Sequence, residues 1–526
     1  MKIIVKNIRL PLAASENEVM EQAVRRLAPF VDKKDITSRH IFRRSVDTRH
    51  KTVTIVWSVA VEAEVALSEE TLTRLDCGIL TECDPTEGLV HGSEPSEARP
   101  VVVGFGPCGM FAALMLAEAG YRPIVIERGD GVLQRSQKVN TFFRDGILDP
   151  NCNIQFGAGG AGTFSDGKLV TRISDGRSRY VLRRLAEFGA PSEILVNAKP
   201  HIGTDRLLAV VGNIDARIRH LGGEVRYHTR FEGFRSSLGK VTAVLTSEGE
   251  IPCGQVILAI GHSARDTYAM LSDKGVALVP KPFSVGVRIE HLQADIDRAV
   301  YGKLAGHPKL GHAEYALSLR KGEDCVYTFC MCPGGEVIAA ASEEGGVVTN
   351  GMSRYRRDGR NANAAVAVSV APEDPIAFQR NLERAAFAMG GGTYAAPVMT
   401  VGDLLSGKRG TDPSRITPTY RKGQVVTSDL TALFPERITA MLKLGLADFG
   451  RKLRGFAAPD AVLTGVETRT SSPVRITRDE GLTASGYDNL YPCGEGAGYA
   501  GGITSAAVDG LRVAETIIRR FAPSEG

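Results

Sequence analysis

Residues 101–127 read VVVGFGPCGMFAALMLAEAGYRPIVIE, and this stretch constrains the fold more than any other. The apolar run Val101, Val102, Val103 ends in Gly104-x-Gly106-x-x-Gly109. A helical pattern then runs through Ala113 to Gly120, and a second apolar strand ends on Glu127. A strand–turn–helix–strand unit of this kind holds the ADP moiety of a dinucleotide. Gly104 permits the tight turn, Gly106 lets the backbone approach a pyrophosphate, and Gly109 with Ala113 lets the helix pack close on the sheet. The helix N-terminus offers free N–H groups and a positive dipole end to the phosphates. Glu127 is placed to accept hydrogen bonds from a ribose diol. The alternative is a glycine-rich turn in an ordinary α/β sheet, against which stand both strands, the small residue four on and the terminal carboxylate.

A chain of 526 residues has room for two or three domains with large cores. It is 43% hydrophobic and 24% charged, the composition of a soluble globular protein. The 64 basic and 60 acidic side chains nearly cancel, so no global field favours nucleic acid or an anionic membrane. No apolar run approaches the roughly 18 residues of a membrane span. MKIIVKNIRLPL interleaves Lys2, Lys6 and Arg9 with its apolar residues and lacks a signal-peptide core. The expectation is a cytoplasmic protein whose nine cysteines are reduced thiols and not a disulfide framework.

Residues 1–95 read as a small α+β domain. Lys2 to Ile8 suits a strand, Ser15-x-x-Glu18 is a capping box, and Val19, Met20, Ala23, Val24 and Leu27 share a helical face. Val53, Ile55, Trp57, Val59 and Val61 alternate as in a half-buried strand. Between them lies a basic cluster, Arg39, His40, Arg43, Arg44, Arg49, His50 and Lys51, read as a solvated hairpin face with an anion patch as the alternative. HGSEPSEARP (91–100) is a linker. Further on, a helix over 205–221 leads to a third parallel strand, 224–228, by a right-handed crossover. A β-meander follows over 231–251, and an apolar strand ends at Gly261. The pattern of the first domain returns near Leu490. The expected division is 1–95, a nucleotide-binding first segment 96–274, an inserted domain 275–460, and a C-terminal nucleotide-binding segment 461–526.

YPCGEGAGYAGGITSAAVDG (491–510) is again a strand, an acidic residue, a glycine turn and a helix start. It resembles the second flavin motif of the glutathione-reductase and p-hydroxybenzoate-hydroxylase class. By that resemblance Glu495, after Gly494, faces the ribityl chain. Gly501, Gly502 and Ile503 then bring a helix N-terminus to the flavin edge where negative charge gathers on reduction. LAIGH (258–262), with Gly261, resembles the short strand motif near the adenosine end. NAD enzymes carry neither feature, so the cofactor expected is FAD. QFGAGGAGTFSDGKLVTR (155–172), GHSARDT (261–267), KPFSVGVRIEH (281–291), TFCMCPGGEV (328–337), TNGMS (349–353) and VETRTSSPVRI (466–476) resemble a bacterial family of uncharacterised FAD-dependent dehydrogenases over roughly residues 95–520. The resemblance implies an α/β fold: a Rossmann-like FAD-binding domain of discontinuous segments, with an inserted α+β substrate domain and the small N-terminal domain. It supplies no substrate.

The loop 157–167 carries Gly157, Gly159, Gly160 and Gly162, with Thr163 and Ser165 as hydroxyl donors and Lys168 as a cation. It is read as a cover over the pyrophosphate and ring edge, the alternative being a flexible surface loop. Pro107, Arg128 and Phe231 are counted as cofactor contacts. Arg135 resembles a position that contacts cofactor, against a surface salt bridge. Arg469, in GVETRTSSPVRITR with Arg475, is the catalytic candidate: its guanidinium suits a carboxylate or anionic reduced flavin, with Glu467 as its simple partner. In VRIEH, Arg288, Glu290 and His291 are each read as structural. Cys330-Met-Cys332 would face one way in a strand. There is no CxxC, the spacing of Cys108 and Cys152 is wrong for one, and a zinc site lacks ligands, so no metal is expected and buried small hydrophobes is the default.

With no second GxGxxG, electrons come from the substrate, a transiently docked NAD(P)H or a redox partner protein. The expected function is hydride transfer between flavin N5 and a small-molecule substrate. The alternatives are a flavoenzyme docking RNA through Arg43, Arg44 and Arg49, and a non-catalytic flavin redox sensor.

Overall fold

The computed structural model describes residues 1–49, 52–81 and 83–524. At the N-terminus a four-stranded antiparallel sheet runs in the order Ile36–Asp47, Thr54–Ala63, Lys2–Leu10, Cys77–Ile79. Its alternation is visible in the burial of Ile55, Trp57, Val59 and Val61. The helix Glu16–Leu27 covers one face with Val19, Ala23, Val24 and Leu27, and starts on reciprocal bonds between Ser15 and Glu18. His50 and Lys51 of the basic cluster lie outside the described residues. Arg39 pairs with Glu21 at 2.9 Å and Arg49 with Asp47 at 2.8 Å. Arg44 donates to Asn197 Oδ1 at 2.7 Å, and its backbone pairs with Val196 and Ala198. Residues 196–198 thereby pair with the edge strand of this sheet at Arg44.

The second sheet is parallel throughout, in the order Leu490–Pro492, Val256–Leu258, Val101–Val103, Ile124–Ile126, Glu224–Arg226. Its three central strands, Val256–Leu258, Val101–Val103 and Ile124–Ile126, are apolar because both faces are covered, while the edge strand Glu224–Arg226 buries only Val225. On one face lie the helices Pro107–Glu118, Ile503–Arg520 and Thr204–His220. The first two approach closely: a Cβ on Gly510 would lie 2.3 Å from the Cys108 carbonyl oxygen. On the other face packs an antiparallel meander, Phe231–Ser237, Lys240–Thr246 and Gly249–Pro252. The C-terminal strand and helix thus complete a sheet begun some 390 residues earlier in the chain, at Val101.

The third sheet has seven strands: Ser318–Lys321, Asp324–Cys332, Asn361–Val370, Phe283–Leu292, Val462–Glu467, Ala396–Thr400 and Val425–Thr427. The helix Glu436–Lys452 packs on it with Ile438, Met441, Leu442, Leu446 and Phe449. Val462–Glu467 lies beyond the boundary expected at 460, yet it pairs with Phe283–Leu292 and not with the parallel sheet. All six of its residues are buried, so it needs cover on two faces, which only a sheet interior provides. The residues between 467 and Leu490 carry the chain back, with Val474–Ile476 pairing against Leu278–Pro280.

Candidate functional site

The parallel sheet and the seven-stranded sheet meet at a cavity of ≈ 650 Å³. Two helix N-termini open onto it. Gly106 precedes the helix Pro107–Glu118 and Gly502 precedes Ile503–Arg520, and neither helix has a side-chain cap. An uncapped helix start leaves N–H donors and a positive dipole end for something else to satisfy. Gly104, at φ +100°, turns the strand into the first helix; a Cβ there would meet the Ala259 carbonyl oxygen at 2.4 Å. Gly160 lies against Gly106, its added Cβ 2.9 Å from the Gly106 Cα. These glycines keep a backbone-lined trough in which side chains would fill the space. Gly104, Gly106, Pro107, Glu127, Gly160, Ser165, Gly261, Glu495, Gly501, Gly502 and Ile503 all line the cavity.

Several expected contacts stand elsewhere. Gly109 and Gly159 act in packing, since a Cβ on the first would sit 2.0 Å from the Gly104 oxygen and on the second 2.1 Å from Thr163 Oγ1. Gly494 makes room for Cys108, whose Cβ would be 2.7 Å from an added methyl. Thr163 is fully buried and turned to the Ala158 carbonyl. Phe231 belongs to the core on the far face of the parallel sheet. Arg128 stacks on Phe156 and pairs with Asp266 at 2.6 Å.

Arg135 is neither a cofactor contact nor a surface pair. It is fully buried and donates to the carbonyls of Asn153, Ile154, Gly157 and Ala158 at 2.6–3.3 Å. Burial pulls its guanidinium down to about 10. This side chain sets the glycine loop rigidly in place, so the loop is not a flexible surface segment. Glu127 completes the same scaffold: Oε2 accepts from Phe105 N at 2.9 Å, and Oε1 from Gly129 N at 3.0 Å and Gly157 N at 2.9 Å. A carboxylate has about four lone-pair sites, so one remains toward the cavity.

Arg469 lines the cavity, but Glu467 is not its partner. Both arginines Arg265 and Arg469 grip the buried Glu383: Arg469 at 3.1 Å through each carboxylate oxygen, Arg265 at 2.8 and 2.9 Å. Burial would raise Glu383, yet the two guanidinium groups hold it down at about 2. Arg469 also donates to Ser342, which leaves it a fixed strut more than a free anion hook. Arg475 stands apart, over the Tyr499 ring.

Sequence reasoning missed the group on the opposite wall. Glu467 Oε2 accepts from Arg288 Nε at 3.1 Å and from Thr349 Oγ1 at 3.3 Å, while Oε1 has no hydrogen-bond partner among the described residues. Only 3% of the residue is exposed, and burial pushes its carboxyl up to about 7 against the pull of Arg288. A carboxyl poised near neutrality in a cleft is suited to moving a proton. Lys168 also lines the cavity, its Nζ buried without a hydrogen bond and 3.5 Å from Asp166. Burial would raise Asp166, but Lys168, Arg357 and Ser353 hold it at about 2. Cys330 also lines the cavity, as do Cys108 and Cys493, whose sulfurs are 3.0 Å apart. The usable signal was Glu467 and Arg288 on strands that pair; nothing local announces the pairing.

Comparison with known proteins decides the family. A family model described as FAD-dependent protein, C-terminal domain-like, matches residues 282–470, and one described as a domain of unknown function (DUF8436) matches residues 2–62. An uncharacterized protein of Clostridium beijerinckii (strain ATCC 51743 / NCIMB 8052) is 45% identical over 536 residues, with 99% of each chain covered. The chain belongs to this FAD-dependent family. FAD is its cofactor, and the glycine-lined trough between two uncapped helices fits such a group. Among solved structures, glycine oxidase from Bacillus cereus ATCC 14579 aligns over 80% of this chain and 95% of its own, at 11% identity and TM-score 0.32. NikD, an unusual amino acid oxidase essential for nikkomycin biosynthesis, aligns over 80% and 93%, at 14% identity and TM-score 0.34. At such scores the likeness identifies no common residue or reaction. Among the described residues no helix is long and apolar enough to cross a membrane, and no cluster of His, Cys, Asp or Glu is arranged to hold a metal ion.

Proposed function

We propose that this flavoprotein is an oxidoreductase that moves a hydride between FAD and a small molecule held in the cavity between the parallel and seven-stranded sheets. The observation that carries the reading is the convergence of two uncapped helix N-termini on one trough that ends at Glu127 and opens, on its other side, onto Glu467. In this reading the N–H groups at Gly106 and Gly160 hold the pyrophosphate, Glu127 the adenosine ribose, and the turn Gly501–Gly502 with Glu495 the flavin end. FAD supplies the hydride acceptor or donor. The chain's own part is electrostatic and acid–base: the start of Ile503–Arg520 favours negative charge on its ligand, and Glu467 carries a substrate proton on Oε1. The seven-stranded sheet contributes Phe283, Tyr327 and Phe329 to the wall of the site. The parallel-sheet segments act as the cofactor domain and the segment between them as the substrate domain, with a nicotinamide or a redox protein docking transiently.

The test is anaerobic titration of the yellow protein with panels of metabolites and NAD(P)H, following bleaching of the oxidised-flavin absorbance. One class of small molecule should bleach it within seconds, and slowly or not at all in Glu467→Gln. A flavin that no metabolite or nicotinamide reduces would refute the reading in favour of a redox sensor.

A further inference from the structure

We propose that Cys330 and Cys332 are a redox dithiol of the cavity, which makes the substrate class a small disulfide. Cys330 attacks it and Cys332 resolves the mixed disulfide. The proposal rests on the flavin reading for its last step alone.

The geometry comes from one irregularity. The strand Asp324–Cys332 pairs with Asn361–Val370 in register as far as Phe329 opposite Ala365, then resumes at Cys332 opposite Asn363. Three residues on one side match two on the other, so a bulge holds an extra residue. Cys330 sits in it at φ +45°, a conformation unusual for a residue with a Cβ and one that cavities and active sites keep for a purpose. The bulge breaks the alternation: Cys330 lines the cavity while Cys332 is fully buried behind it. Arg288 pins the arrangement, donating to the Cys330 carbonyl oxygen through Nη2 at 3.0 Å and Nη1 at 3.4 Å. Cys332 Sγ donates to the same oxygen at 3.3 Å. Lys168 and Glu467 share the cavity wall with Cys330.

The electrostatics follow the geometry. The neighbouring Cys332 side chain lowers Cys330 to about 5, with Lys168 and Arg288 adding to the effect and burial and Asp166 opposing it. Cys332 is pushed well above its ordinary value, first by the Cys330 side chain and then by burial. One sulfur is a half-buried thiolate on the cavity wall and the other a protonated thiol in reserve, the asymmetry that thiol exchange requires.

The step balances. The Cys330 thiolate attacks one sulfur of R–S–S–R; a Cys330–S–R bond forms, the S–S bond breaks, and R–S⁻ leaves and takes the Glu467 proton. Cys332 then gives its proton to the Glu467 carboxylate and attacks the Cys330 sulfur, releasing the second R–S⁻, which is protonated from solvent. The products are two thiols and a Cys330–Cys332 disulfide, which reverts to the dithiol on receiving an electron pair from reduced FAD and two protons. Residues two apart in a fully extended strand lie about 6.6 Å apart, at the upper edge of disulfide reach, and the bulge at Cys330 departs from that extended geometry.

The experiment uses the FAD-loaded protein and bis(2-hydroxyethyl) disulfide, read by peptide mass. Wild type should release two thiols per chain and join Cys330 to Cys332. Cys332→Ser should stop at a hydroxyethyl mixed disulfide on Cys330, and Cys330→Ser should do neither. Iodoacetamide should label Cys330 roughly tenfold faster at pH 6 than a thiol of ordinary pKa, since the gain in thiolate outweighs its lower nucleophilicity. The rate midpoint should lie near pH 5 and rise in Cys332→Ala. An unlabelled Cys330, a mixed disulfide on Cys332, or a midpoint near that of a free thiol overturns the proposal. FAD content measured on the same samples keeps the two readings apart: protein without FAD counts against the cofactor site, while thiol exchange is still read on the chain itself.

Discussion

Replacing Gly106 and Gly109 by alanine separates a cofactor cradle from a packing requirement within one motif. Gly106 has φ −82° and ψ −176°, open to any residue, and an added Cβ would meet nothing nearer than the Gly160 Cα at 3.7 Å, an ordinary contact. Losing glycine at a helix N-cap costs about 1 kcal/mol. The stiffer unfolded chain returns about 0.4–1 kcal/mol of that. The apoprotein's melting temperature should therefore move by less than about 4 °C. FAD affinity should fall, because the methyl stands where a pyrophosphate meets the helix N–H groups. Loss of one charge-assisted hydrogen bond of about 1.5–3 kcal/mol weakens binding roughly 10- to 150-fold. In Gly109→Ala the methyl would lie 2.0 Å from the Gly104 oxygen, so helix and turn must part. That is overpacking of about 3 kcal/mol, a drop of roughly 6–12 °C. Fluorescence titration of apoprotein with FAD and circular-dichroism melting of the same samples give both quantities. Wild-type FAD affinity in Gly106→Ala, or an apoprotein melting as low as Gly109→Ala, would refute the reasoning.

Two further outcomes follow from the buried charges. Glu383→Ala strips two buried guanidinium groups of their shared partner and should destabilise by about 3–5 kcal/mol. Arg469→Ala leaves Glu383 paired with Arg265 and should cost clearly less, an order that thermal melting checks and that equal losses would contradict. The Glu467 carboxyl titrates near 7 in the fold against 4.5 as its ordinary value. The native chain therefore keeps a proton between those values that the unfolded chain has shed, and this contribution to stability, intact below the lower value, is lost as pH rises through the higher. Relative to wild type, Glu467→Gln should gain about 3 kcal/mol between pH 4.5 and 8. Its flavin-reduction rate should lose an inflection near pH 7, and a difference that stays flat with pH would show the carboxyl to be ionised throughout.

What was legible in the chain was what neighbouring residues decide together. The glycine turn, the capping box at Ser15, the meander after Phe231 and the second motif at Cys493 are local patterns, and their strands, helices and turns stand where alternation and caps put them. What was not legible depends on which strand lies beside which. Glu467 reads as the partner of Arg469 because only Thr468 separates them, but successive side chains on Val462–Glu467 and beyond turn to different neighbours, and Glu383 arrives from a helix 86 residues earlier. Resemblance points Arg135 at the cofactor, and the alternative is a surface salt bridge because charge is usually exposed. Four carbonyls from one folded loop make its burial tolerable, and no local pattern foretells that loop's path. Phe231 faces the wrong side of a sheet because the meander that carries it packs on the face away from the helices.

The bulge at Cys330 is the sharpest case of the same principle. Strict alternation would send Cys330 and Cys332 to one face and leave the cavity wall to Met331. One extra residue reverses this, and nothing in TFCMC marks where the extra residue falls. Its position is held by Arg288, in the middle of a buried strand, which reaches the Cys330 carbonyl with one end of its guanidinium and the Glu467 carboxylate with the other. A lysine there would offer a point charge and could not span both acceptors in fixed directions. Glu467 and Cys330 are therefore not two independent features of the wall. The same planar cation that sets the backbone of one sets the carboxylate of the other, so the proton-carrying and sulfur groups of the cavity are placed as a unit by a residue that touches neither the glycine trough nor solvent.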